Sequence, residues 1–279
     1  MRIAGFFTIT RPVNSLVAGL AAIVAYLIAT GTLIPQTLLL FFVVALVTAA
    51  GNAINDCFDA EIDAINRPDR PIPSGAVTRT AAKGFAGTLF LAGILVSFFT
   101  SFLCTGIAII NSLVLIAYAG KLKRTPFFGN ITVAYLSASI FLFGGALNGW
   151  DGFVHIVPIA AITFFAMLSR ELVKDAEDVQ GDKAGDADTV PIRFGVKKTA
   201  YLAFFCTVIA VLTSFMPYIW WGTWYLAGIL IVDTILLIAA FRGLECTTPE
   251  CMKASGTSLL LKAGMFTSLI VFTLSAVFL

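Results

Sequence analysis

The sequence predicts an all-α, polytopic membrane protein: nine transmembrane helices in a bundle with a parallel internal repeat. Three observations carry that fold class. The 279 residues are 59% apolar and only 12% charged, whereas a soluble domain has about 25% charged residues. The charges are also clustered, so that residues 84 to 120 contain none across 37 positions. Third, two aspartate triplets with the same internal spacing recur 119 residues apart: Asp56, Asp59 and Asp63, then Asp175, Asp178 and Asp182.

Taken in order, the apolar stretches predict spans near 14–33, 36–55, 84–102, 105–120, 130–148, 153–172, 199–217, 222–241 and 257–278. The first is an anchor rather than a cleaved signal, because its apolar run is about 20 residues and no A-x-A-type site follows. The second runs into the first aspartate triplet. The charge-free stretch 84–120 is too long for one span: about 55 Å as a helix, against a hydrocarbon core of about 30 Å. It therefore divides into spans three and four, with a turn expected near Thr105-Gly106. The sixth span ends in the second triplet. Trp220, Trp221 and Trp224, at the start of the eighth, read as an interfacial belt. Lipid leaves no water to satisfy backbone groups, and segments of this length satisfy them as helices. Most of the 25 Phe side chains are expected to face lipid or pack the core. The whole chain, 1–279, reads as one transmembrane domain.

Orientation follows from Lys and Arg. All 18 lie in the N-terminal segment (Arg2, Arg11), in the loops after spans two, four and six, or between and just inside spans eight and nine. The opposite loops carry none. By the positive-inside rule the N-terminus and these loops are cytoplasmic and the C-terminus is outside. All but Asp151 and Asp233 of the acids lie on the same side, so the chemistry is concentrated on one face.

Spacings of 3 then 4 put Asp56, Asp59 and Asp63 on one helix face, and likewise Asp175, Asp178 and Asp182. The next polar position inward also matches, Asn52 against Glu171. An offset of four helices preserves membrane direction, so the two acidic faces are expected to be related by a pseudo-two-fold axis. A single aspartate at a helix end is usually a solvated charge. Six in two equal patterns repel one another and need cations. Hard oxygen ligands choose Mg²⁺ or Ca²⁺, and Mg²⁺ typically takes one or two carboxylates plus substrate phosphate. Nearby Arg67, Arg70, Lys121, Lys123, Arg124 and Lys174 complete a diphosphate clamp.

Asn55-Asp56-x-x-Asp59-x-x-x-Asp63, with the second D-x-x-x-D at Asp178 and Asp182, resembles the UbiA-type intramembrane prenyltransferases. "RPVN" (Arg11 to Asn14) and "YAGKLKRT" (Tyr118 to Thr125) look like that family's other signatures, and the resemblance spans essentially the whole chain. It implies Mg²⁺-dependent transfer of an isoprenyl group from an isoprenyl diphosphate donor to an acceptor. All six aspartates would then be metal-holding and catalytic, and Asn14, Asn52, Arg67, Arg70, Tyr118, Lys121, Lys123, Arg124 and Lys174 substrate-binding. The stretch "RELVKDAEDVQGDKAGDADTVPIRFG" is most similar to archaeal digeranylgeranylglyceryl phosphate synthases. That implies geranylgeranyl diphosphate as donor, a phosphorylated lipid acceptor (geranylgeranylglyceryl phosphate) and the second ether bond of archaeal membrane lipids as product. Membrane lipids are the expected surroundings, and no nucleic-acid partner is implied. The first motif also looks like chlorophyll synthases, so an aromatic or tetrapyrrole acceptor is the rival within the class. A secondary transporter is the rival outside it, disfavoured because the carboxylates sit at one membrane face rather than the midplane. Asp233, mid-span, is a functional candidate by position; His155 is on the outer side. Cys246 and Cys251 read as a loop coincidence on the reducing side.

Overall fold

The computed structural model describes residues 3–185 and 187–279; Arg2, counted above among the cytoplasmic charges, lies outside them. Among the described residues the chain is helix, turn and loop. The α-helices are α1 (Ile3–Ile9), α2 (Pro12–Thr30), α3 (Thr37–Asn66), α4 (Arg79–Ser97), α5 (Phe102–Gly120), α6 (Phe128–Ala146), α7 (Gly149–Glu177), α8 (Val179–Ala184), α9 (Val190–Phe194), α10 (Val196–Thr213), α11 (Tyr218–Leu244), α12 (Pro249–Ser255) and α13 (Thr257–Phe278). A single 3-10 turn, Leu122–Arg124, joins α5 to α6. Nine of the described helices are long and apolar enough to cross a membrane, at the nine places expected. Their outer faces carry bare apolar side chains, among them Phe102, Leu113, Ile231 and Phe266. A water-soluble monomer rarely tolerates this much exposed apolar surface.

Two boundaries differ from expectation. The turn between spans three and four falls at residues 98–101, not at Thr105-Gly106. Ser101 stops the chain there by accepting a hydrogen bond from the Cys104 N–H (3.1 Å) as the N-cap of α5; Thr105 is already helical. Spans two and six are also longer than the apolar runs that flag them. α3 has 30 residues and α7 has 29, so each carries polar residues on a continuous helix beyond its greasy part.

The chain forms two compact units. The first comprises residues 1–26, 32–121 and 142–154. In it α3 packs on α4 and α5. Gly93 of α4 permits close approach to α3, since a Cβ there would stand 2.9 Å from Val47. Near the acidic end of α3, Ile9, Ala53, Cys57, Val77, Ala82 and Ala86 form a buried cluster that draws together α1, α3, the loop 67–78 and α4. Gly5 seats α1 in it: a Cβ at that position would meet Val77 Cγ2 at 2.7 Å. The loop is braced by its own turns, Arg70 N to Arg67 O (3.0 Å), Ser74 N to Arg70 O (2.9 Å) and Val77 N to Pro71 O (2.9 Å).

The second unit comprises residues 27–31, 122–141 and 155–279. Here α11 packs on α10 and α13, and a buried Ser169–Thr207 hydrogen bond (2.8 Å) links α7 to α10. Trp220 and Trp224 are exposed, as an interfacial belt requires, but Trp221 is buried against Tyr225 and Phe272. The helix bends at Gly222 (φ 62), and the bend turns that one indole inward. His155 lies against Trp220 at a tilt of 34°, with ring centroids 4.0 Å apart. Cys246 and Cys251 are joined in a disulfide across the α11–α12 turn, their Cα atoms 5.4 Å apart, which corrects the reading of that pair as coincidental.

Candidate functional site

In the first unit all three aspartates of the first triplet lie on α3, as their spacing predicts. Asp56 and Asp63 are buried and Asp59 is half-buried. Two arginines meet the buried pair. Arg11 Nη2 donates to Asp56 Oδ1 at 2.6 Å, and Arg70 Nη1 donates to Asp63 Oδ2 at 2.6 Å and to the same Asp56 oxygen at 3.2 Å. Asp59 Oδ2 accepts from Asn55 one turn back, at 2.9 Å.

Arg11 is held from behind. It occupies the corner between α1 and α2 at φ 48, a left-handed conformation that non-glycine residues adopt only where surroundings enforce it. Its N–H donates to Thr8 O at 3.0 Å. The neighbouring Thr10 carbonyl accepts from Ser15 Oγ (2.8 Å) and from Asn52 Nδ2 (3.0 Å). Asn52, expected at the substrate, thus anchors the corner that carries Arg11, and Pro12 starts α2 with its φ already set. Asn14 lies on the exposed side of α2, and Ser15 takes the buried position beside it. Arg67 and Lys121 are exposed at the ends of α3 and α5.

The second triplet, in the second unit, departs from the predicted single face. Asp175 is on α7, but the helix breaks at Asp178 (φ −112, ψ 24), which is exposed, and Asp182 lies on the short α8. The i to i−4 bonds persist through the break, Asp178 N to Lys174 O (3.1 Å) and Asp182 N to Asp178 O (2.9 Å). The three carboxylates therefore follow one another down a bent turn. Asp175 Oδ2 accepts from the buried Asn130 Nδ2 at 2.7 Å. Burial pushes the Asp182 carboxyl above the usual carboxylate range, the Asp178 charge adds to this, and Thr189 and Lys174 pull the other way. By distance and angle neither Thr189 Oγ1 nor Asp182 Oδ2 completes a hydrogen bond. No ion pair reaches these aspartates among the described residues: Arg170 (2.6 Å) and Lys174 (4.0 Å) both pair with Glu171. Lys123 and Arg124 sit on the 3-10 turn, where the Arg124 carbonyl accepts from Asp188 N at 3.2 Å. Tyr118 lies in the last turn of α5.

Two site partners escaped sequence reading, Arg11 as a carboxylate ligand and Asn130. Each lies 45 residues before the aspartate it serves, a signal visible only once the contact is known. Asp233 is held on one side only: Ser214 Oγ donates to its Oδ2 at 2.8 Å, Tyr225 donates to the Ser214 carbonyl at 2.6 Å, and the buried Oδ1 completes no hydrogen bond.

Hard carboxylate oxygens make up both sets, and Asp182 Oδ2 is a buried acceptor without a partner, so the donor chemistry fits a divalent cation. Among the described residues no three Asp, Glu, His or Cys side chains are gathered tightly enough to hold an ion alone. Any such ion needs oxygens from water or a ligand as well.

Residues 16–270 match the profile of the UbiA prenyltransferase family. A digeranylgeranylglyceryl phosphate synthase of Methanoregula boonei is 66% identical over 279 residues, covering 100% of both chains. A solved structure described as concerning digeranylgeranylglyceryl phosphate synthase in membranes superposes with a TM-score of 0.91 at 37% identity, over 99% of each chain. A UbiA homologue of Archaeoglobus fulgidus bound to GPP and Mg²⁺ shares the fold (TM-score 0.66, 13% identity, 94% of this chain and 99% of that one). These likenesses displace the transporter reading. The chain belongs to the UbiA prenyltransferase family and is an integral membrane enzyme that transfers a prenyl group.

Proposed function

We propose that the protein transfers a geranylgeranyl group from geranylgeranyl diphosphate to the free hydroxyl of geranylgeranylglyceryl phosphate, making the second ether of the archaeal lipid core. The observation that carries this reading is the 66% identity, over the full length, to a relative named for digeranylgeranylglyceryl phosphate synthesis.

The charged residues suit that chemistry. Negative charge develops on a departing diphosphate, and preorganised cations stabilise it most where water is scarce. In the first unit Arg11 and Arg70 supply guanidinium forks fixed by buried aspartates, matched to phosphate oxygens. Asp59 in that unit, and Asp178 and Asp182 in the second, would hold Mg²⁺, with Asp56, Asp63 and Asp175 completing the two sets. When bound, the ion supplies Lewis-acid neutralisation of the leaving diphosphate. Lys121, Lys123, Arg124 and Lys174 are assigned to the phosphates of donor and acceptor, Arg67 and Tyr118 to the donor side, Asn14 to polar contact with substrate, and Asn52 to fixing Arg11. The apolar helices keep bulk water from the allylic cation left behind. Both carboxylate sets are assigned to the cytoplasmic face, in line with the distribution of Lys and Arg.

The test is turnover with the candidate acceptors. Geranylgeranylglyceryl phosphate is expected to be prenylated far better than its dephosphorylated alcohol. Arg124→Gln or Lys121→Gln should shrink that preference, mainly through acceptor KM, if either side chain holds the acceptor phosphate. Equal use of the two acceptors, or faster prenylation of an aromatic acid, would overturn the acceptor assignment and leave prenyl transfer standing.

A further inference from the structure

The two triplets have the same spacing but opposite electrostatics. The first aspartate of each is met by a side chain 45 residues earlier: Arg11 for Asp56, Asn130 for Asp175. The third is met by Arg70 in the first unit, at 2.6 Å from Asp63, whereas Asp182 Oδ2 completes no hydrogen bond in the second. In the first unit both partners are guanidinium ions, and in the second the one partner is a neutral amide. Asp56 and Asp63 with Arg11 and Arg70 therefore sum to zero charge. Asp175, Asp178 and Asp182 have no guanidinium partner among the described residues, and the exposed Lys174 nearby is shared with Glu171.

The repulsion that a bare carboxylate cluster needs a metal to relieve is thus relieved by arginine ion pairs in one triplet and by no direct ion pair in the other. We propose that Arg11 and Arg70 hold the first triplet closed to a divalent cation until a phosphate oxyanion draws them off, whereas the second triplet accepts the cation without phosphate, water completing its shell. Arg11 is the side chain built to leave. It shares Asp56 Oδ1 with Arg70, so Asp56 keeps a partner when Arg11 departs. Its side chain is 34% exposed, against 19% for Arg70. Its backbone stays fixed through Thr8, while Asn52 and Ser15 hold Thr10, so only the side chain moves. Phosphate competes for it on equal chemical terms, because a guanidinium fork fits carboxylate and phosphate alike. Metal and phosphate then load the first triplet together, each strengthening the other by the same factor. This rests on the reading of both triplets as metal-holding.

The experiment is Mn²⁺ binding to the full-length protein in detergent micelles, without isoprenyl substrate, for wild type, Arg11→Asn, Arg11→Lys and Asp182→Asn. Asparagine tolerates the left-handed backbone of residue 11, and lysine keeps the charge. Wild type should show one class of site, lost in Asp182→Asn. Arg11→Asn should gain a second class, with affinity raised about tenfold for the loss of one competing charged hydrogen bond, and Arg11→Lys should not. Adding inorganic pyrophosphate or glycerol phosphate to wild type should open the same second class; whichever does so identifies the donor or the acceptor phosphate as the trigger. A purely structural Arg11 would instead weaken binding in both its variants. Two equal classes in untreated wild type, no gain in Arg11→Asn, or no response to either anion would overturn the proposal. No Mn²⁺ binding in any protein under any condition would remove the metal reading itself.

Discussion

Asp56 and Asp175 stand at matching places in their triplets, yet one accepts from a guanidinium at 2.6 Å and the other from an amide at 2.7 Å. A buried or partly buried carboxylate costs free energy unless it is paired or hydrogen-bonded, and the protein meets that cost in two ways, at the buried Asp56 and the half-buried Asp175. The expectation that six clustered aspartates call for metal rests on their mutual repulsion, and in the first triplet arginine ion pairs already offset that repulsion. Both sets are nevertheless assigned to one reaction. Asp59→Ala and Asp182→Ala should each lower kcat by a factor on the order of 10², as expected for losing part of a preorganised electrostatic site. The double variant should fall little further, because groups acting as a unit are non-additive. Near-wild-type rates in either single variant would break the link between the triplets. The six aspartates and Arg70 were legible as candidates from spacing and charge. Arg11 and Asn130 as their partners were not, since 45 residues of chain separate each pair and no local pattern joins them.

At the scale of elements, the site depends on how α1 and the loop 67–78 are fastened to α3. Gly5 is the fastening point, because a side chain there would run into Val77 within the buried cluster. Gly5→Val should cost about 1–3 kcal/mol, the usual penalty for overpacking. By displacing the corner that carries Arg11 it should also impair pyrophosphate binding more than a loss of stability alone explains. Thermal unfolding, compared with pyrophosphate affinity well below the melting point, separates the two effects; unchanged stability would refute this packing account. Existence and order of the nine long helices were readable from hydropathy. Their ends were not, because α3 and α7 run past their apolar stretches into charged sequence. The break at Asp178 also escaped, since a 3-then-4 spacing looks the same whether the helix is straight or bent.

For the whole molecule, the strongest consequence of divalent-metal use is reversible dependence on that metal. EDTA should abolish turnover and excess Mg²⁺ restore it, measured as prenylated product; full activity in excess chelator would remove the ion from the reaction. Acidification should weaken substrate-free metal binding starting from a higher pH than an ordinary carboxylate would set. Burial favours the protonated form of Asp182, and the metal must displace that proton. Asp182→Asn should abolish that dependence together with the binding. By itself the sequence determined the membrane class, the nine spans, the recurrence of the triplets and the family. Those properties depend on composition and on short-range periodicity, which lipid makes unforgiving because every backbone group must be satisfied within its own helix. Only the tertiary structure decided which carboxylates carry a charged partner, that Asn52 serves Arg11, that Trp221 turns inward and that Cys246 meets Cys251. Those are choices between partners of equal chemistry, and in a folded chain proximity in space makes them rather than residue type.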